Sequence, residues 1–306
     1  MKTLKTMRAY AAVLLCVLSV ASCNGNKTDK VDEAEIALSA HVSSLGAGEN
    51  FWGEAAEIGV FALEKGTDKV LSEAGNVKYT TILSTGIMTL SPAGKGITIK
   101  NNGMSIDIAG YYPYTQSLVS VGESQHICKV DMSDQAAPKP GMLMTARANE
   151  MNSVMNTGTL ALTPILAKLG ITLTIKTTKA DAHEPRVYVK GVSATADVDV
   201  LTGQYVSYGT AADVELLMAN QNLYYYEALL PAQNIADAAE LVVNLTSGSP
   251  VSLKLKESLA EIKPNRQYDI EVTVSPDGIK ATLVQVSDLN VIGWKEDSET
   301  INGNTD

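Results

Sequence analysis

From residue 33 onward the chain alternates apolar and polar side chains with a period of two. Ile36, Leu38, Ala40 and Val42 are interleaved with Ala37, Ser39 and His41, the pattern of a strand with one buried face. Ile58-Gly-Val-Phe-Ala-Leu63 is a short continuous apolar run and predicts a central strand. Strict alternation recurs at 97–100, 104–108, 171–176 and 268–274. Turn signals separate these segments: Gly46, Gly48 and Asn50, then Thr85-Gly86, then Pro138 and Pro140, then Ser247-Gly-Ser-Pro250, then Pro276-Asp-Gly278. Proline fixes the first bend of that last turn and glycine supplies a positive φ. Residues 64–76 and 150–158 are polar and read as loops. Two stretches fit a helix as well as a strand: 165–169, interrupted by Gly170, is one helical turn or a strand, and 235–240 has room for a brief helix. Many short strands at a spacing of eight to twelve residues predict an all-β sandwich or barrel.

The first 23 residues follow a different pattern. Lys2, Lys5 and Arg8 precede an apolar run from Ala11 to Val20, which ends in Val20-Ala-Ser-Cys23. A basic start, a short apolar stretch and small residues before a cut site describe an export signal. Ten apolar residues are about half of what spans a bilayer. The residues around Cys23 resemble a bacterial lipobox, which implies a chain cut before Cys23 and acylated on its thiol. Residues 24–30 are small and polar, a composition that reads as a tether.

Charge and cysteine usage narrow the function. The chain has 24 basic and 34 acidic residues, a net charge of −10. Loss of a signal with three basic residues and no acidic ones lowers it to −13. Such a surface repels phosphate backbones and excludes nucleic acid as the expected partner. Membrane attachment is then expected through lipid rather than through a basic patch. Of three cysteines, Cys16 leaves with the signal and Cys23 carries the lipid. Cys128 remains alone, so no disulfide is available to the body, and Cys128 reads as a small buried apolar residue.

Reactive constellations are not apparent. His41, His126 and His183 sit in unrelated segments without metal-ligand spacing. Asp197 and Asp199 share one strand face but lack the oxygen-rich loop of a calcium site. Gly94-Lys-Gly96 precedes a strand and reads as a turn, not a phosphate loop. No catalytic residue, metal or cofactor is expected. Tyr224-Tyr-Tyr226 is the densest aromatic cluster, and on one strand Tyr224 and Tyr226 would share a face. A surface glycan-binding lipoprotein is therefore the alternative function, although core packing is the simpler role for these rings. Trp52 and Trp294 read as packing anchors near the ends of the body.

Four ordered stretches resemble the fimbrillin family of Bacteroidales, the subunits of type V pili. They are Ile58-Gly-Val-Phe-Ala-Leu63 after Trp52, Tyr111-Tyr-Pro-Tyr114, Leu166-Ala-Lys-Leu-Gly-Ile-Thr-Leu-Thr-Ile175, and Asn265-Arg-Gln-Tyr-Asp-Ile-Glu-Val-Thr-Val274 with the strand that leads to Trp294. The resemblance implies two tandem transthyretin-like β-sandwich domains, at 32–162 and at 163–306 with a polar tail, after a signal at 1–22 and a lipidated tether at 23–31. It implies a non-enzymatic pilus subunit or pilus-associated adhesin, anchored to the outer membrane through Cys23. Its partners would be other pilus subunits and host or bacterial surface ligands. It also implies donor-strand exchange, in which the strand carrying Ile36, Leu38, Ala40 and Val42 is lost and a partner's strand fills the groove. Family members are cut after an arginine. This chain has none between Cys23 and Arg147, which leaves Lys27 and Lys30 as candidate cut sites or the strand in place.

Overall fold

The structure is a computed structural model; it describes residues 33–43, 55–72, 74–84, 87–136, 142–176, 185–246 and 249–289. The first half contributes eleven strands. These are β1 (Glu33–Glu35), β2 (Ala37–Val42), β3 (Glu57–Glu64), β4 (Val77–Ser84), β5 (Ile87–Pro92), β6 (Thr98–Lys100), β7 (Ile106–Tyr112), β8 (Val119–Val121), β9 (Gln125–Asp131), β10 (Met144–Met151) and β11 (Thr157–Pro164). The second half begins with β12 (Leu166–Ile175), β13 (Arg186–Ser193), β14 (Thr195–Asp199), β15 (Gln204–Tyr208), β16 (Ala211–Glu215) and β17 (Leu217–Asn220). It continues with β18 (Tyr225–Pro231), β19 (Gln233–Asn234), β20 (Glu240–Asn244), β21 (Val251–Lys254), β22 (Glu261–Ile262), β23 (Arg266–Ser275) and β24 (Gly278–Asp288). The class is all-β, as the alternation predicts. The single helical element among the described residues is a 3-10 turn at Leu255–Glu257.

Of the two stretches left open to a helix, 165–169 takes the strand alternative and 235–240 forms no helix. β12 runs straight through Gly170, paired with β18 from Leu166 to Thr172 and with β23 from Lys168 to Ile175. Residues 235–239 form a turn closed by the Ala239 amide on the Ala236 carbonyl, since so few residues cannot repay helix nucleation. The loop reading of 150–158 holds only at its centre: β10 extends to Met151 through a bulge, and β11 starts at Thr157. The turn at Pro276-Asp277 joins β23 to β24, with Gly278 at φ +126°.

In the first half the sheet closes on itself in the order β10-β11-β2-β5-β4-β3-β7, with β7 returning to β10. Ile108, Leu160 and Leu162 are fully buried on its inner face, and Phe61, Leu63 and Tyr111 are fully buried on the opposite face of β3 and β7. Gly59 lies opposite Tyr111 in the β3–β7 register, and a methyl at Gly59 would fall 2.0 Å from the Tyr111 ring. The bare backbone there is what lets the ring lie flat. In the second half a five-stranded sheet, β17-β18-β12-β23-β24, faces a four-stranded one, β16-β13-β20-β21. Leu169, Ile171, Tyr226 and Val272 from the first meet Val187, Val189, Leu241 and Val243 from the second in one core.

The two halves share a sheet. β9 pairs with β14 over five residues in the order β15-β14-β9-β8. Val198, Val200, Leu201 and Leu229 from the second half pack into the first core. Gln135 mimics a strand against Leu229, accepting from its amide at 2.9 Å and donating to its carbonyl at 2.9 Å. Tyr205 ties the same seam by donating to the Ile165 carbonyl and accepting from the Ala232 amide.

Asp107 on β7 braces one rim of the closed sheet. It is 3% exposed. It accepts from the Gly66 amide at 2.9 Å, the Glu150 amide at 3.0 Å and the Arg147 guanidinium at 3.0 Å. Glu150 has φ +62° and sits in the β10 bulge, so this carboxylate holds the bulge in place. Burial alone would push the Asp107 carboxyl up. The Glu150 and Gly66 amides and Arg147 outweigh it and hold the group below the usual carboxylate range. A depressed acid stabilises the fold above its unfolded pKa, and that contribution vanishes as pH falls through the folded value. Asp107→Asn is therefore expected to cost about 2 kcal/mol at pH 7, since it removes the charge of a buried carboxylate that accepts from two amides and the Arg147 guanidinium. Urea unfolding at pH 7 and below pH 4 checks it: the gap to the unaltered chain narrows in acid, and a constant gap refutes the role.

Candidate assembly groove

Alternation puts Ile36, Leu38, Ala40 and Val42 on one side of the first long strand, and this side is buried. Ile36 lies just ahead of β2. The four residues are 1–5% exposed. Between them Ser39 and His41 are part-exposed on the other side. Burying two large aliphatic side chains, a valine and an alanine contributes roughly 6–8 kcal/mol on the usual area scale, comparable to the net stability of a whole domain.

The slot that receives these side chains has unequal walls. On one side β2 runs parallel to β11 in a six-residue register from Ala37↔Thr157 to Val42↔Leu162. The antiparallel register on the other side, with β5, has only two pairs, Leu38↔Leu90 and Ser39↔Thr89. Main-chain bonds fasten the ends: the Ile36 amide donates to Ile97 O at 3.0 Å, Ala37 to Asn156 O at 2.9 Å and Ser43 to Leu162 O at 2.8 Å. Asn156 also donates from its side chain to Glu35 O at 2.7 Å. Hydroxyls complete the set, with Ser39 and Thr159 at 2.9 Å and Thr163 donating to Ser43 at 2.9 Å. Gly158 leaves room for Leu38, whose Cδ2 would stand 3.3 Å from a methyl at that position. Main-chain pairing, hydroxyls and apolar packing thus hold β2. Any strand with the same alternation could make the same contacts.

The second half offers an internal comparison. Its first strand, β12, also lies parallel to a late strand, β23, and antiparallel to β18. There the registers cover eight and seven residues. β12 is a fixture of its sheet; β2 is fully gripped on one side only.

The other residues singled out in the sequence do not converge. Cys23, Lys27, Lys30, Trp52, His183, Trp294 and the tail lie outside the described residues. Among the described residues no group of three or more His, Cys, Asp or Glu side chains is placed to hold a metal. Asp199 is spent on structure, accepting from the His126 and Leu201 amides and the Thr202 hydroxyl. Asp197 takes the Ser207 hydroxyl. His126 packs tilted against Phe61 with ring centroids 4.8 Å apart, and burial pushes its imidazole pKa down. Burial pushes the Cys128 thiol up, which suits an inert side chain. Gly94-Lys-Gly96 lies between β5 and β6, as a turn.

The tyrosine cluster differs from the sequence reading. Tyr224 precedes β18 at φ +45°, so the alternation starts only at Tyr225. Tyr226 is 1% exposed and donates to the Pro185 carbonyl, and burial pushes its phenol up to about 12. Tyr224 packs against the same core. The two rings form no exposed platform.

Sequence reasoning missed the receiving wall. Asn156, Gly158 and Thr159 belong to a stretch too polar to stand out, and their partners lie about 120 residues earlier. The one local signal is the alternation of Leu160 and Leu162 beyond them.

The strand slot of β2 should open before the rest of the fold. Hydrogen exchange followed by mass spectrometry is expected to show β2 amides exchanging faster than those of β12, through a local opening. Equal protection of the two strands would contradict the unequal grip.

Comparison with known proteins fits this architecture. No curated protein matches the chain. A candidate cell adhesion protein from Bacteroides uniformis is similar in structure, with 22% identity, a TM-score of 0.64, and coverage of 83% of this chain and 97% of that one. Another from Bacteroides ovatus has 16% identity and a TM-score of 0.61 over 84% and 98% of the chains. The tip fimbrial protein Mfa3 of Porphyromonas gingivalis, truncated at its C-terminus, has 10% identity and a TM-score of 0.54 over 84% and 100%. These likenesses show a shared fold. The family model described as fimbrillin-like matches residues 46–294, and the chain belongs to that family.

Proposed function

We propose that this protein is a non-enzymatic, cell-surface fimbrial subunit that assembles by exchanging β2 for a strand of a neighbouring subunit. In this reading Cys23 carries the lipid that anchors the exported chain to the outer membrane. The two cores are two tandem domains, 32–162 and 163–306, with the β9–β14 pairing as the splice between them. Partners are other pilus subunits, and surface ligands of host or bacterial cells are met once the subunit is assembled.

The observation that carries this reading is the one-sided hold on β2. Departure of Ile36, Leu38, Ala40 and Val42 would leave two facing strand edges, β5 and β11, with an apolar slot between them. Unpaired edges beside exposed apolar surface are a template for an incoming strand. Nothing chemically specific to this chain's own β2 is required. The glycan-binding alternative drew on Tyr224 and Tyr226, and these are committed to the second core.

A chain starting at residue 45, mixed with a synthetic peptide of residues 33–43, tests the exchange. The peptide is expected to bind and raise the melting temperature by several degrees, since a ligand of the native state stabilises it. A Leu38→Asp peptide is expected to fail. Equal binding of both peptides, or binding of neither by a folded chain, would refute strand exchange at this slot.

A further inference from the structure

Two loops beside the start of β1 carry apolar side chains that the fold does not use. Met104 is 64% exposed, Val154 87% and Met155 59%. Met104 stands on the 101–105 loop between β6 and β7. Val154 and Met155 stand on the 152–156 loop between β10 and β11. The loops touch through Ser153, whose hydroxyl donates to the Asn101 side chain at 2.9 Å. Each is internally braced. The Met104 amide donates to Asn102 Oδ1 at 3.1 Å, and the Val154 and Met155 amides both donate to Asn152 Oδ1 at 2.9 Å. The three apolar tips therefore project from one braced surface.

Charge sets this surface apart. The chain carries a net charge of −10, yet residues 101–105 and 152–156 read Asn-Asn-Gly-Met-Ser and Asn-Ser-Val-Met-Asn, without a charged side chain. Exposed apolar tips on charge-free loops can enter a lipid interface while the exposed Glu33, Glu35 and Lys100 at the loop roots stay in water.

Position identifies the occupant. Glu33, the first residue of β1, pairs with Lys100 at the root of one loop. Asn156, at the root of the other, bonds Glu35. The body therefore begins between the two loops. Nine residues separate Cys23 from Glu33. Ten Cα steps reach at most about 34 Å and average about 17 Å as a coil. A lipid on Cys23 would hold these loops within that distance of the bilayer.

We propose that Met104, Val154 and Met155 form a membrane-seating surface that dips into the lipid interface of the anchored subunit. The inference rests on the lipid-anchor reading and adds an orientation to it: the β1 end of the closed sheet faces the bilayer. One acyl-bearing residue fixes where the protein is; a second contact fixes how it stands. Together the two give firmer attachment than either alone.

The test uses the full acylated chain on phosphatidylethanolamine–phosphatidylglycerol vesicles. An environment-sensitive dye is placed at Val154→Cys in a Cys128→Ala background, and at Lys280→Cys on β24 as a control. At 154 the dye is expected to shift to the blue, brighten as it enters the interface and be quenched by spin-labelled lipid. At 280 it should do none of these. Chains that float with the vesicles while the 154 dye stays silent would overturn the seating surface and leave the anchor intact. Chains that do not float, with Cys23 unmodified by mass spectrometry, would overturn the anchor and the seating surface with it.

Discussion

Six residues of parallel pairing between β2 and β11 close the first sheet, and the rest of the first half depends on that closure. A sheet closed into a ring presents no edge, whereas a ring with one strand missing presents two. Ile36, Leu38, Ala40 and Val42 also fill one side of the first core. The same strand therefore satisfies the backbone of its neighbours and completes the packing of the interior. Losing it imposes both costs at once, and a strand of like alternation removes both at once.

Everything around the slot is built to stay still. Asp107 pins the β10 bulge and the 65–68 loop to β7 through part-buried charge-assisted bonds. Gln135 and Tyr205 stitch the seam between the halves with main-chain partners. β12 holds the second sandwich with long registers on both sides. Against this background β2 has only two pairs to β5, as β11 has only two to β10, so the β2–β11 ladder carries most of the main-chain pairing of both strands.

The strands were legible wherever one face is buried and the other wet. Ile36 to Val42, 171–176 and 268–274 declare themselves by period alone, and Pro276-Asp277-Gly278 declares its hairpin by residue chemistry. The partnerships were not legible. Parallel pairing of Thr157 with Ala37 joins residues 120 apart, and no local signal encodes it. Tyr224 misled because its positive φ lies before the strand, which period counting cannot see. Gly170 misled in the other direction, since a glycine in a central strand leaves the ladder intact. Met104 reads as the start of the alternating segment 104–108, yet β7 begins only at Ile106 and Met104 stands on the preceding loop; Val154 went unread because an isolated exposed residue gains meaning only when folding brings its loop beside another.

The most direct measurement locks the strand in place. Ala37 and Thr157 face each other across the parallel ladder and are both exposed. Cysteines at both positions, with Cys128→Ala, would tie β2 to β11 by a disulfide. Expressed in a fimbriate bacterium, the oxidised double variant should be recovered from sheared surface material as monomer, while each single cysteine variant enters polymer. Polymers containing the locked chain at the level of the single variants would contradict strand exchange as the basis of assembly.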